Sequence, residues 1–224
     1  VSRADQDAFA LLSHQRAAAA WKAGAFDAEV EPVTVPQKKG DPITFAKDEC
    51  VRADSSLEAL ARLQPVFKKG GSVTAGNSSP VNDGASALLL ASAELVARAK
   101  LTPLARVVAT ATVGVEPNFM GEGPIPAVKR LVERAGVRLA DVDLIELNEA
   151  FAAQSLACVR ALELDPARVN VNGGAIALGH PIGSSGARIA GALVHAMKAR
   201  GAKLGVASLC IGVGQGIAAL FERA

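Results

Sequence analysis

Three side chains in this sequence stand where packing alone does not explain them. His180 sits in "NVNGGAIALGHPIGSSGARI", Asn170 to Ile189, a glycine-rich stretch with an apolar centre that leads into a helix-like run. Cys210 ends the apolar run "KLGVASLCI" next to "GVG", where glycines let another backbone or a ligand come close. Asn148, with Glu149, lies in "LNEAFAAQ", where an apolar strand passes into a helix. That junction, at the carboxyl end of a strand, is where ligands bind in α/β sheets. An imidazole that titrates near neutrality and a thiol are groups able to exchange protons with a substrate.

Each of the three also has a purely structural reading. Asn148 can cap the helix that starts near Glu149. His180 can be a loop histidine held by a backbone carbonyl. Cys210 can be an inert small hydrophobe. Cys50 lies in a charged, loop-like stretch and Cys158 on an apolar helix, so both are read as structural, as are the helical His14 and His195. "GVGQG" is not the dinucleotide fingerprint and precedes a strand. The "GSSG" at Gly183 to Gly186 lacks the strand that a nucleophile elbow needs.

The elements that must position these groups follow from periodicity. Ser2 and Asp5 predict a helix start, and apolar positions from Phe9 through Trp21 continue it until Gly24. "EVEPVTVP" alternates like an edge strand. Residues 36 to 56 read as a surface excursion with at most short strands, and 57 to 67 as a short helix broken near Pro65. A second loop, "GGSVTAGNSSPVNDGA", precedes the apolar "ASALLLAS" and a helix to about Lys100. Beyond Pro103, strand runs alternate with helices, which predicts an α/β layered domain. The last two strands are close enough in sequence for an antiparallel hairpin.

The chain has 224 residues, half of them hydrophobic, with a net charge of +2. This balance gives no sign of nucleic acid or an anionic membrane as a partner, and no apolar run is long enough for a membrane span. Three cysteines without a CxxC argue against a disulfide framework and fit a reducing compartment, such as the cytoplasm, with mitochondria and peroxisomes left open.

Taken together, "NEAFAAQ", "NVNGGAIALGHPIGSSGARI" and "LCIGVGQG", in that order near the C-terminus, resemble the thiolases, in particular those of the acetyl-CoA acetyltransferase kind. The resemblance runs upstream through "GPIPAVKRLVERAG" and "VTAGNSSPVNDGA" and covers essentially the whole chain. It implies a thiolase-like layered α/β fold. Residues 1–80 would be part of a CoA-binding loop domain, 81–102 the last strand and helix of the N-terminal half, and 103–224 the C-terminal domain. It implies condensation of two acyl-CoA molecules to a 3-ketoacyl-CoA, or the reverse cleavage. His180 would be the active-site histidine, Cys210 the acid/base thiol and Asn148 the holder of an oxyanion-hole water. The Gly212 N–H would serve a second oxyanion hole. Arg52 would lie near the nucleotide end of CoA, and Ala75, Gly76 and Ser79 beside its pantetheine arm. A family serine falls at Ala59, and "RAD" replaces a pattern with histidine after the arginine.

None of the three cysteines lies in the family's nucleophile motif. The chain is therefore expected to be a C-terminal portion, inactive alone, whose partners are CoA, acyl-CoA and the missing N-terminal half, within a homodimer or homotetramer. That half would normally cover a face of the sheet, so a large exposed apolar surface is expected. No metal or cofactor is implied, CoA thioesters being substrates. Two other readings remain. Ketoacyl synthases share the architecture but use a second histidine where Cys210 stands. A non-catalytic, thiolase-like protein that binds acyl-CoA or lipid is the alternative from another class.

Overall fold

The computed structural model describes residues 1–224. Helix α1 (Arg3–Lys22) starts as the sequence predicts, on a capping box. The Asp5 N–H donates to the Ser2 hydroxyl at 3.1 Å, and the Ser2 N–H donates to the Asp5 carboxylate at 3.2 Å. The buried face of α1 carries alanines, among them Ala10, Ala17 and Ala20, so neighbouring backbones can approach closely. Strands β1 (Val33–Val35) and β2 (Ile43–Phe45) form a separate antiparallel pair whose six residues are all exposed. Helix α2 (Leu57–Ala61) is one short segment, capped by Ser56, and ends well before Pro65.

The apolar run after residue 80 departs from expectation. No strand forms within residues 81–102; the chain has no regular structure as far as helix α3 (Ala93–Ala99). Leu88, Leu89 and Leu90 are exposed. A strand exists only when its N–H and C=O groups meet another strand, and this run meets none. It lies instead near the start of the last long helix, where the Ser86 hydroxyl donates to the Ser184 carbonyl at 2.8 Å.

From residue 105 the alternation predicted from sequence is realised. Strand β3 (Ala105–Gly114), helix α4 (Pro124–Ala135), strand β4 (Leu144–Leu147) and helix α5 (Ala152–Ala161) come first. Helix α6 (Ala175–Leu178), helix α7 (Ser185–Arg200) and strands β5 (Leu204–Ile211) and β6 (Gln215–Arg223) follow. The sheet order is β3-β6-β5-β4, with β5 and β6 forming the expected antiparallel hairpin and β4 parallel to β5. Alternate residues face opposite layers, as strand geometry requires. Ile145, Leu147, Val206 and Leu220 pack with α4 and α5, whereas Leu144, Ala207 and Phe221 pack with α7. Helices of this chain thus cover both faces of the sheet at β4, β5 and β6, whereas edge strand β3 keeps much of its surface exposed. Exposed large apolar side chains lie on β1, β2 and the 88–90 run, on β3 at Val107, on helices at Leu12, Leu57 and Leu95, and at scattered loop positions.

Leu131, wholly buried between α4 and the sheet, and Leu89, 85% exposed, should therefore respond in opposite ways to truncation. We predict that Leu131→Ala lowers unfolding stability by about 2–5 kcal/mol in urea melts. Leu89→Ala should stay within about 0.5 kcal/mol of the parent. Equal losses would show that the 85–91 run is packed after all.

Candidate active site

Strand β4 delivers Asn148. The Asn148 N–H donates to the Ser208 carbonyl at 2.9 Å, which extends the β4–β5 ladder by one step beyond Leu147. The Asn148 side chain is 1% exposed and lies 3.2 Å from Nε2 of His180. Asn148 does not cap α5: that helix begins at Ala152, behind Phe151, with no side-chain cap. The turn between them is tied down elsewhere, because the Ala152 N–H donates to the Asn77 carbonyl at 2.9 Å.

His180 follows α6 across Gly179, whose φ of 106° is open to glycine and strained for other residues. A side chain at Gly179 would also strike Asn82. Asn82 is the brace of this turn, its Oδ1 accepting the His180 N–H at 2.9 Å. The imidazole Nδ1 lies 2.6 Å from the Ser185 hydroxyl. His180 is half-buried; burial lowers its pKa, and the charge of Arg188 lowers it further. The ring is therefore neutral at pH 7 and able to accept a proton.

The glycines of the loop serve the protein's own groups first. A Cβ on Gly174 would overlap the Glu149 carboxyl, and one on Gly173 would enter α1 at Ser13 and Ala17. Glu149 is fully buried and receives three donors. These are the Ser13 hydroxyl at 2.7 Å, Asn170 Nδ2 at 2.8 Å and the Ile176 N–H at 3.1 Å. Burial pushes its carboxyl pKa up, while these hydrogen bonds pull it down. The donor set decides. The Ser13 hydroxyl accepts from the Gly174 N–H and Asn170 Oδ1 accepts from the Leu147 N–H, so both residues must donate to Glu149. Nothing faces the carboxyl that could take a proton from it, and it is ionised.

Near the base of His180, Arg188 on α7 is surrounded by carboxyls. Glu146 lies 3.7 Å from its guanidinium, yet burial outweighs that charge and pushes Glu146 up to about 8. Burial likewise raises Glu29 to about 7 and raises Asp48.

The other predicted positions are less closely gathered. Cys210 is buried at the end of β5, and strand parity puts it on the same face as Val206, away from α7. The ring of His180 pairs with Asn148 and Ser185. Burial raises the Cys210 pKa. Gly212 is exposed in the β5–β6 turn, with open space where a Cβ would stand. Arg52 has an exposed side chain, and its N–H donates to Nδ1 of His14 at 3.1 Å. Ser79 is fixed to the β4–α5 turn, both its N–H and its hydroxyl donating to the Ala150 carbonyl at 3.0 Å. Gly76 packs on Leu60 and Leu63 of the α2 region, and Ala75 is exposed. Sequence reasoning missed Ser13, Asn77, Asn82, Asn170 and Ser185. Ser185 alone carried a local signal, standing five residues after the histidine.

Comparison with known proteins agrees with these motifs. The thiolase N-terminal domain model matches residues 1–94 and the thiolase C-terminal domain model residues 101–223. A β-ketoadipyl-CoA thiolase of Acinetobacter baylyi is 54% identical over 225 residues, covering 100% of this chain and 56% of the relative. An acetyl-CoA acetyltransferase of Pseudomonas aeruginosa is 55% identical over 223 residues, covering 100% of this chain and 57% of the relative. The crystal structure of Bacillus anthracis acetyl-CoA acetyltransferase superposes with a TM-score of 0.98 at 47% identity, covering 100% of this chain and 57% of that one. Human mitochondrial 3-ketoacyl-CoA thiolase in complex with CoA gives 0.92 at 48% identity, covering 100% of this chain and 55% of that one. The chain thus spans little more than half the length of the proteins it matches.

The three thiols should differ in reactivity. Cys50 is partly exposed, Cys210 is buried, and Cys158 is wholly buried with a pKa pushed up to about 12. Since the thiolate reacts and burial raises the pKa of all three, alkylation should quicken as pH rises from 7 to 9. We expect iodoacetamide to label Cys50 first, Cys210 next and Cys158 last, read by peptide mass spectrometry. Labelling of Cys210 ahead of Cys50 at pH 7 would contradict this environment.

Proposed function

The chain belongs to the thiolase family, and on that premise we propose that it forms the histidine-bearing part of an acyltransferase acting on CoA thioesters. The observation that carries the reading is the 3.2 Å contact between Asn148 and His180 Nε2 at the carboxyl end of β4. It joins a neutral base to a buried amide at the place where α/β sheets bind ligands.

In this reading a nucleophilic thiol, from a part of the enzyme outside these 224 residues, gives its proton to His180 Nε2. Its sulfur attacks the thioester carbon, CoA leaves with the proton returned from His180, and the acyl group rests on the nucleophile. A second acyl-CoA then loses an α-proton to Cys210, its carbon attacks the carbonyl carbon of the enzyme-bound acyl thioester, and the nucleophile's sulfur leaves as the thiolate. In the reverse direction, the Cys210 thiol returns that proton to carbon as the ketoacyl chain is cleaved. Burial favours the protonated thiol, which suits its role as donor in cleavage. Asn148 holds a water toward the developing enolate oxygen, and the Gly212 N–H faces the oxygen of the tetrahedral intermediate. Arg52 lies near the nucleotide end of CoA, and Ala75, Gly76 and Ser79 lie beside its pantetheine arm. Substrates are CoA and acyl-CoA, no further cofactor is needed, and the working enzyme is an oligomer of complete chains in a reducing compartment.

The roles separate by labelling. In a full-length enzyme carrying these residues, Cys210→Ser should still become acylated by labelled acetyl-CoA yet lose condensation. His180→Ala should lose acylation itself. Asn148→Ala should still acylate but condense at least about a hundredfold more slowly, the usual cost of one oxyanion-hole donor. Loss of acylation in Cys210→Ser, with CoA binding intact, would overturn this division.

A further inference from the structure

We propose that Ser185 is a positioning residue that holds neutral His180 as the Nδ1–H tautomer, leaving the Nε2 lone pair turned toward Asn148. The argument begins with solvent. Ser185 is 0% exposed, so its one proton and its lone pairs must be used by protein groups. Its hydroxyl has two neighbours, the Pro181 carbonyl at 3.0 Å and His180 Nδ1 at 2.6 Å. A carbonyl cannot donate. That oxygen already takes the N–H groups of Ser184 at 2.8 Å and Ser185 at 2.9 Å, and neither proton lies between the two oxygens. The hydroxyl proton must therefore point at Pro181, because two bare oxygens 3.0 Å apart would repel.

With its proton committed, the Ser185 oxygen can only accept from the ring. Nδ1 must carry the proton, and Nε2 must be bare. At 3.2 Å, Asn148 then offers its amide N–H to Nε2, and its carbonyl oxygen, buried without a protein partner, is left to accept from a water. The chain of donors is consistent at every step. It runs from the Asn148 amide to Nε2, and from Nδ1–H through Ser185 to Pro181. The ring is locked to the first turn of α7, and its lone pair faces Asn148.

The use of that lone pair as a base rests on the thiolase reading; the tautomer rests on geometry alone. They can be tested apart, because the tautomer is read without substrate. The chain has three histidines, and His14 is an internal reference of the opposite kind. Its Nδ1 accepts the Arg52 N–H, so its proton sits on Nε2. The experiment is a long-range nitrogen–proton correlation spectrum of the 15N-histidine-labelled 224-residue chain at pH 8, with His180 assigned by loss of its signals in His180→Gln. His180 should show a protonated Nδ1 and a bare Nε2, opposite to His14. Ser185→Ala should shift His180 toward the Nε2–H form or an average, and Ser185→Thr, which keeps the hydroxyl, should restore the parent pattern. A wild-type His180 with its proton on Nε2 overturns the proposal, and that spectrum needs no variant to fold. An unchanged Nδ1–H signature in Ser185→Ala overturns it equally.

Discussion

The Glu149 carboxylate is the interaction on which the arrangement of the site depends. It is buried, charged and met by donors from three separated parts of the chain: Ser13 on α1, Asn170 after the β4 crossover, and the Ile176 N–H at the start of α6. Charge-assisted hydrogen bonds are the strong kind, and a buried charge is tolerable only when so satisfied. Asn148 precedes Glu149 directly, and His180 follows α6 after one residue. A single carboxylate thus fixes both walls of the contact that carries the chemistry. The glycine at 174 is the steric counterpart, since any side chain there would occupy the carboxylate's place.

A second tier of contacts holds the outer side of the turn. Asn82 takes the His180 N–H, and Ser86 bonds to Ser184. Both belong to the loop and unpaired run that precede α3, so the N-terminal part of the chain reaches across to brace the histidine. Asn77 does the same for the Asn148 side, bonding Asp7 on α1 while its carbonyl takes the Ala152 N–H. The loop 72–86 is therefore a strap over the ends of β4 and α6, and residues far apart in sequence enter one rigid unit.

Much of this was legible in the sequence, for reasons that can be named. The layered α/β half follows from alternating strand and helix periods, and the chemistry-bearing residues stood out because glycines and polar groups interrupt apolar runs. The Ser2–Asp5 cap was readable because its partners are three residues apart. Glu149 was seen but not understood, because its partner Ser13 is 136 residues away and no local pattern reports such a pair. Asn148 invited the cap reading because asparagine before a helix is a good cap, yet the helix starts four residues later and the side chain turns to His180. "ASALLLAS" reads as a buried strand because it is a short apolar run, but pairing depends on a neighbour that periodicity does not supply. The glycines around His180 suggested room for a ligand, while two of them are filled by Glu149 and α1.

The claim that one carboxylate organises the site is tested most directly by amide hydrogen exchange on Glu149→Gln. The account predicts that the Gly174, Ile176 and His180 amides lose protection by tenfold or more, about 1.4 kcal/mol each, while Val206 and Leu220 in the sheet stay as protected as in the parent. Unchanged protection at Gly174 and Ile176, or an equal loss throughout the sheet, would contradict it.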